Sequence, residues 1–446
     1  MPGAGGVDEV EPVQQSSINW ANEEWVVEIR NELDQLLRDS TALEPYSKKG
    51  SIYKVPDLLK NLNCKAYEPQ MASFGPYHYG KEHLMPMEKR KHTILLDFLR
   101  ESGKPLESYV NALAPVVQDL KDSYDALDPR WHADTSGFLK LMVQDGCFML
   151  HILDRWILYE LYLLGSLETA SIRRDMLLLE NQLPMLVLLK IDQVRNGGEP
   201  REKFIQDLVL GSWDLWSHEH PLMGKCLHVL DVYRKALIWD EKYVSIAALS
   251  VKTFQLWSAI ELTEAGIRLK RSFSEQKGRI AFNANDGVLT LPRLEVDHVT
   301  ESTFLNLIAF DGLHVGDLPG EVTSFIYFMR QLIKSPRDVR LLISSGILKN
   351  GIGSDEAVVQ LFDSLSKEAP MLNQCTSKMY HDVYIRILLY RRKPQNRLRA
   401  YLVHAYHEST NWSPLAYWSI LAAILLFILS FLQTWYTLYP YYHPRK

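Results

Sequence analysis

The chain has 446 residues, 47% hydrophobic and 23% charged, with a formal net charge of −5. That is enough chain for one large core or two. The mean hydropathy of −0.14 argues against a polytopic membrane protein. The near-balanced charge offers no basic face for nucleic acid.

Residues 1–17 are rich in Gly, Pro, Gln, Ser and acidic groups and read as a disordered leader without the apolar stretch of a secretory signal. Trp25, Val26, Ile29, Leu33, Leu36 and Leu37 then recur at helical spacing, which predicts a helix packed on a core or on a partner. Residues 51–80 are dense in turn formers and aromatics and read as an ordered loop region. Helices are expected over 84–101, 106–126, 136–164, 171–190, 253–269, 299–310, 319–333, 336–345, 354–367 and 376–405, with a polar loop or boundary over 191–225. Ser335-Pro336-Arg337-Asp338 supplies a cap, a first-turn proline and an acidic third residue; Gly346 supplies a stop. Residues 279–282 and 288–291 flank Asn283-Ala284-Asn285-Asp286-Gly287, a hairpin signal, with residues 293–296 as a possible third piece. No βαβ alternation and no repeat is visible.

Few residue patterns point to chemistry. Cys64, Cys147, Cys226 and Cys375 lie far apart with no C-x-x-C, which supports neither a zinc ribbon nor a thioredoxin-type site. His218-Glu219-His220 has the wrong spacing for a helical zinc motif and reads as a polar loop. Cys147 with His151 could form a nucleophile pair, but Phe148, Met149 and Leu150 beside it favour a buried structural thiol. Gly351-Ile352-Gly353 lacks a preceding strand and a Walker lysine, so it reads as a turn. Glu180-Asn181-Gln182 interrupts an apolar run just before Pro184; a hydrogen-bonded network at a helix junction is the first reading and a ligand site the second. The aromatic turn over residues 74–80 reads as structural, with a binding lip as the alternative. No catalytic residue, cofactor or metal ligand is assigned.

Between Glu408 and Arg445 there is no charged side chain. Residues 415–439 would form a helix about 37 Å long, enough for a hydrocarbon core of about 30 Å. A transmembrane helix is therefore expected over 412–439, followed by a short tail over 440–446. Arg391, Arg392, Lys393, Arg397 and Arg399 precede it, and Arg445 and Lys446 follow. This asymmetry predicts a cytosolic body held at a membrane by a C-terminal anchor, inserted after synthesis. The lone sequon, Asn411-Trp412-Ser413, is followed by Pro414, in keeping with a cytosolic body.

Several motifs taken in order resemble the plant domain-of-unknown-function 247 family, over about residues 51–439. They include Val55-Pro56 with Leu59, Gly75-Pro76-Tyr77-His78-Tyr79-Gly80, Met87-Glu88 with Lys91, and Asp145-Gly146-Cys147-Phe148. Leu179-Glu180-Asn181-Gln182-Leu183-Pro184, His228-Val229-Leu230-Asp231, Asn306-Leu307-Ile308-Ala309-Phe310 and Gln433-Thr434 follow. Ile260, Asp311 and Leu415 depart from the family pattern, which has Thr, Glu and Trp there. The resemblance implies a mainly helical body over 18–406 with a C-terminal membrane segment and no assigned catalysis. Some grass members are linked to pollen-side self-incompatibility recognition. The expected fold is thus mainly α with a small β hairpin or patch. The expected role is non-catalytic interaction or signalling at a membrane, with pollen recognition or an unrecognised active site as alternatives. The protein partner and oligomeric state are left open.

Overall fold

The computed structural model describes residues 27, 50–155, 166–213, 223–238, 257–272, 280–313, 320–368, 378–394, 396 and 414–442. All but residue 27 fall in one compact unit, Lys49–Lys446. The expected leader, the helix around residues 25–37, His218-Glu219-His220, Cys375, Arg397, Arg399 and the sequon lie outside the described residues.

Two short helices open the body, α1 (Asp57–Leu62) and α2 (Cys64–Tyr67). The loop that follows leads into α3 (Met85–Ser102), which has Pro86 in its first turn and ends at Gly103, φ 63°. Its buried face is Met87, Lys91, Leu95 and Phe98, at helical spacing. The expected helix over 106–126 is two: α4 (Leu106–Leu113) and α5 (Val117–Asp122), separated by a tight 3₁₀ turn that contains Pro115. After α6 (Pro129–Ala133), the long α7 (Thr135–Asp154) starts where the Asp134 carboxylate accepts the Gly137 N–H at 2.7 Å. Nearly all of α7 beyond its second turn is buried.

The expected helix over 171–190 is also interrupted. α8 (Ser166–Asp175) stops before an irregular stretch, and α9 (Met185–Asn196) restarts after Pro184. α9 packs on α4 and α7. It approaches α7 closely at Gly146, where a Cβ would stand 2.3 Å from the Ile191 Cδ1. The segment expected to be loop, 191–225, contains α10 (Glu202–Ser212), whose Ile205, Val209 and Leu210 are buried. α11 (Val229–Ile238) packs on α10.

α12 (Ala259–Glu264) ends at Gly266, φ 87°, and the chain turns into a strand where a continuous helix was expected. β1 (Arg268–Arg271) runs parallel to β3 (Val288–Leu291), and β2 (Ala281–Asn283) pairs antiparallel to β3 with Phe282 opposite Leu289. The hairpin is thus as expected from its turn. The third piece, β4 (Leu294–Val296), pairs instead with β5 (Leu348–Asn350), in parallel.

α13 (Thr300–Leu313) is buried along most of its length and packs on α2. α14 (Glu321–Leu332), α15 (Pro336–Ser344), α16 (Asp355–Glu368) and α17 (Lys378–Arg392) complete the helical body. α15 carries the expected capping box between Ser335 and Asp338. Asp338 also accepts the Ile260 N–H at 2.9 Å, which ties α15 to the start of α12.

A mainly helical body with small sheets therefore matches expectation. The transmembrane helix at 412–439 does not. The backbone of α18 is helical over Pro414–Tyr442, but among the described residues no helix is long and apolar enough to cross a membrane. The side chains of α18 are described without a break over 421–437. Those side chains are exposed around the whole helix: Ile424, Leu425, Leu426, Phe427, Ile428 and Leu429 are all more than half accessible.

Candidate functional site

The loop over residues 70–78 is held by polar side chains that reach it from far along the chain. Asp175, at the end of α8, accepts the N–H groups of Gln70, Met71 and Ala72 at 3.0, 2.6 and 2.9 Å. The Arg174 guanidinium lies 3.0 Å from the same carboxylate and also donates to the carbonyls of Glu68 and Lys65. Asn181 accepts the Phe74 N–H at 2.7 Å and donates to the carbonyls of Ala72 and Asp175. Asp145, from the middle of α7, accepts the Gly75 N–H at 2.8 Å. These carboxylate and amide oxygens thus take the place of a neighbouring strand for a segment that has none.

Gln182 closes the interruption between α8 and α9. Its amide donates to the carbonyls of Met176 and Leu178, and its oxygen accepts the Leu230 N–H at 3.0 Å. The Tyr124 hydroxyl donates to the Gln182 carbonyl at 3.0 Å. Gly75 sits against both, with φ 75°. A Cβ there would stand 2.7 Å from the Tyr124 hydroxyl and 2.8 Å from the Gln182 carbonyl oxygen, so no larger residue fits without displacement. Asn306 on α13 accepts the Leu179 N–H at 2.8 Å and donates to the Ala66 carbonyl. The residues of the aromatic turn, of Asp145-Gly146-Cys147-Phe148 and of the Glu180-Asn181-Gln182 interruption therefore form one polar knot, which the body buries.

Glu180 accepts the Val55 N–H at 2.7 Å and pairs with Lys60 at 2.6 Å. His78 lies beside it, with Nε2 3.5 Å from the carboxylate, and is 4% exposed. Burial, and then Lys81, Lys60 and His83, lower the His78 pKa to about 3, so the imidazole is neutral in the folded chain. Asp175 is raised by burial, against the pull of its three backbone donors and Arg174.

The reactive reading of Cys147 fails on burial. The thiol is fully buried and its pKa is pushed far above the ordinary value, which suppresses the thiolate that a nucleophile needs. His151 is lowered by burial and stands edge-on to Phe98, with ring centroids 6.3 Å apart. Gly351-Ile352-Gly353 does follow a strand, β5, contrary to expectation, but it is a turn into α16: the Asn350 side-chain oxygen accepts the N–H groups of Ile352 and Gly353 that a phosphate would need. Among the described residues no group of three or more His, Cys, Asp or Glu side chains could hold a metal ion. A surface cleft of about 390 Å³ lined by Arg330, Ile333, Lys334, Val359 and Asp363 shares no residue with the knot. Its Arg330 is already paired with Asp363 at 2.9 Å.

Lys91 and Asp175 matter more than the sequence pattern suggested. One signal was present for Lys91: it occupies a core position of α3, four residues after Met87 and four before Leu95. An ionisable residue at such a position needs a buried partner. Asp175 stood out only as part of the family pattern, in Asp175-Met176, and its role was not visible because its partners lie over a hundred residues away.

A family model described as a plant protein of unknown function, DUF247, matches residues 52–429. A UPF0481 protein of Arabidopsis thaliana is 27% identical over 433 residues, covering 89% of this chain and 87% of the relative. A putative UPF0481 protein of the same plant is 22% identical over 449 residues, covering 77% and 82%. No solved structure matches.

Proposed function

The chain belongs to the plant DUF247 family of unknown function, and from its architecture we propose that it is a non-catalytic protein that holds a helical body at a lipid membrane, where the body binds other proteins. The observation that carries this reading is the exposed apolar surface of α18. Six consecutive residues, 424–429, are each more than half accessible. At about 100° per residue they sweep more than a full turn. A protein groove would cover one face of such a helix, whereas lipid covers the whole circumference. Residues 421–437 contain no charge. The knot supports the non-catalytic half of the reading, because its polar groups are spent on backbone hydrogen bonds.

Flotation of the full chain with phosphatidylcholine vesicles tests the proposal. The wild type is expected to float. A Leu425→Asp, Phe427→Asp, Ile428→Asp variant is expected to stay at the bottom, each acidic residue costing about 2.5–3.5 kcal/mol in apolar surroundings. Equal flotation of the two chains would remove the membrane reading.

A further inference from the structure

Three buried charges meet at Lys91. Its Nζ lies 2.6 Å from Glu88 and 2.7 Å from Asp145, and it also donates to the Ser73 carbonyl. Lys91 and Asp145 are 0% exposed and Glu88 is 9% exposed. The rings of Phe74 and Phe148 stand 5.4 and 5.9 Å from the ammonium. With all three groups ionised, two negative charges face one positive charge. The Gly75 N–H, the Ser73 hydroxyl and the Gln144 amide spread part of the excess, but they are neutral donors. The cluster between α11 and α13 is different. There Arg234 and Lys235 face Asp231 and Asp311, two charges of each sign.

An unmatched buried charge costs several kcal/mol, and two carboxylates crowded on one site lower that cost by retaining a proton. We propose that Lys91, Glu88 and Asp145 form a proton-binding clasp: the folded body takes up a proton there in mildly acidic surroundings and is more stable against unfolding for it than at neutral pH.

The other ionisable groups around this junction are engaged elsewhere. Tyr124 donates to Gln182, Asp192 on α9 pairs with Arg201, and Arg195 on α9 pairs with Asp154. Tyr109 on α4 stands edge-on to Phe98, with ring centroids 5.9 Å apart. α9 faces Gly146 with the apolar Val187 and Ile191. The sign follows from Asp145, whose pKa rises from 3.8 to about 6 by burial, against the pull of Lys91 and with the push of Glu88. A carboxyl raised in the folded state contributes stability that is present below its unfolded pKa and lost as pH rises through the folded one. The window is therefore about pH 4 to 6. Glu88→Gln removes the excess charge while keeping the shape and an oxygen for Ser73.

Urea unfolding of the full chain in non-ionic detergent, at about pH 5 and about pH 7.5, reads the effect. Between these values the wild-type folding constant should fall by up to about tenfold, and by less in Glu88→Gln, which keeps the burial but loses the push of Glu88. A wild-type-to-variant ratio that does not change with pH overturns the proposal. Infrared difference spectra between the native wild type and Asp145→Asn give a second readout, the variant being needed because burial also raises Asp175 and Asp311. A buried protonated-carboxyl band should be present at about pH 5 and vanish by about pH 7.5, and its absence at both also overturns the clasp.

Discussion

The polar knot around residues 70–78 and the C-terminal α18 invert the usual arrangement in opposite ways. The knot buries Lys91, Asp145, Asp175, Asn181 and Gln182 inside the body. α18 exposes Leu425, Phe427 and Ile428. Buried polar groups are tolerated only when each finds a partner, and in the knot the partners are the backbone groups of a loop without a strand to pair with. Exposed apolar residues of this extent find no such relief within the described chain. One region therefore explains how the body holds its shape, and the other points to what the body meets.

Substitutions can break or sharpen this contrast. Asp175→Ala should have the largest effect. It strands three backbone N–H groups and Arg174, so a loss of about 3–5 kcal/mol in urea unfolding is expected. Gly75→Ala forces a side chain into a left-handed backbone and against Tyr124 and Gln182. About 2–4 kcal/mol should be lost, measured the same way. His78 gives a smaller, pH-dependent effect. Its folded pKa is lowered to about 3, so the unfolded chain binds the extra proton and stability falls as pH drops below about 6.5. Relative to His78→Leu, the wild type should lose up to about 1.4 kcal/mol per pH unit between about pH 6 and pH 4. This sign is opposite to that of the clasp, so single-site comparisons are needed to separate them. Lys349→Ala, which breaks an exposed pair with Glu295 across β4 and β5, should change stability by less than about 1 kcal/mol.

Locally encoded features were readable in the sequence. The cap at Ser335, the stop at Gly346 and the hairpin around Asn283-Ala284-Asn285-Asp286-Gly287 depend on residues within a few positions of one another. The interruption before Pro184 was readable as a polar break, but its cause was not. The side chains of Asn181 and Gln182 capture the carbonyls of Asp175, Met176 and Leu178 and so end α8. The break inside 106–126 had a visible signal in Pro115, which the apolar periodicity outweighed. The switch from α12 to β1 depends on pairing with β3, about twenty residues on, and no local pattern announces it. For the knot, the order of the motifs was visible and their convergence was not. Asp175 and Gln70 are separated by 105 residues, and Asn306 and Ala66 by 240. The apolar character of α18 was plain, whereas its transmembrane reading is not carried by the described residues.

The most direct test of the division between an inward scaffold and an outward apolar helix is vesicle flotation of two variants side by side. Glu88→Gln, altered only in the knot, should float with phosphatidylcholine vesicles as the wild type does. The Leu425→Asp, Phe427→Asp, Ile428→Asp chain should not float. If the knot variant stayed at the bottom, or the helix variant rose with the vesicles, the division would be contradicted.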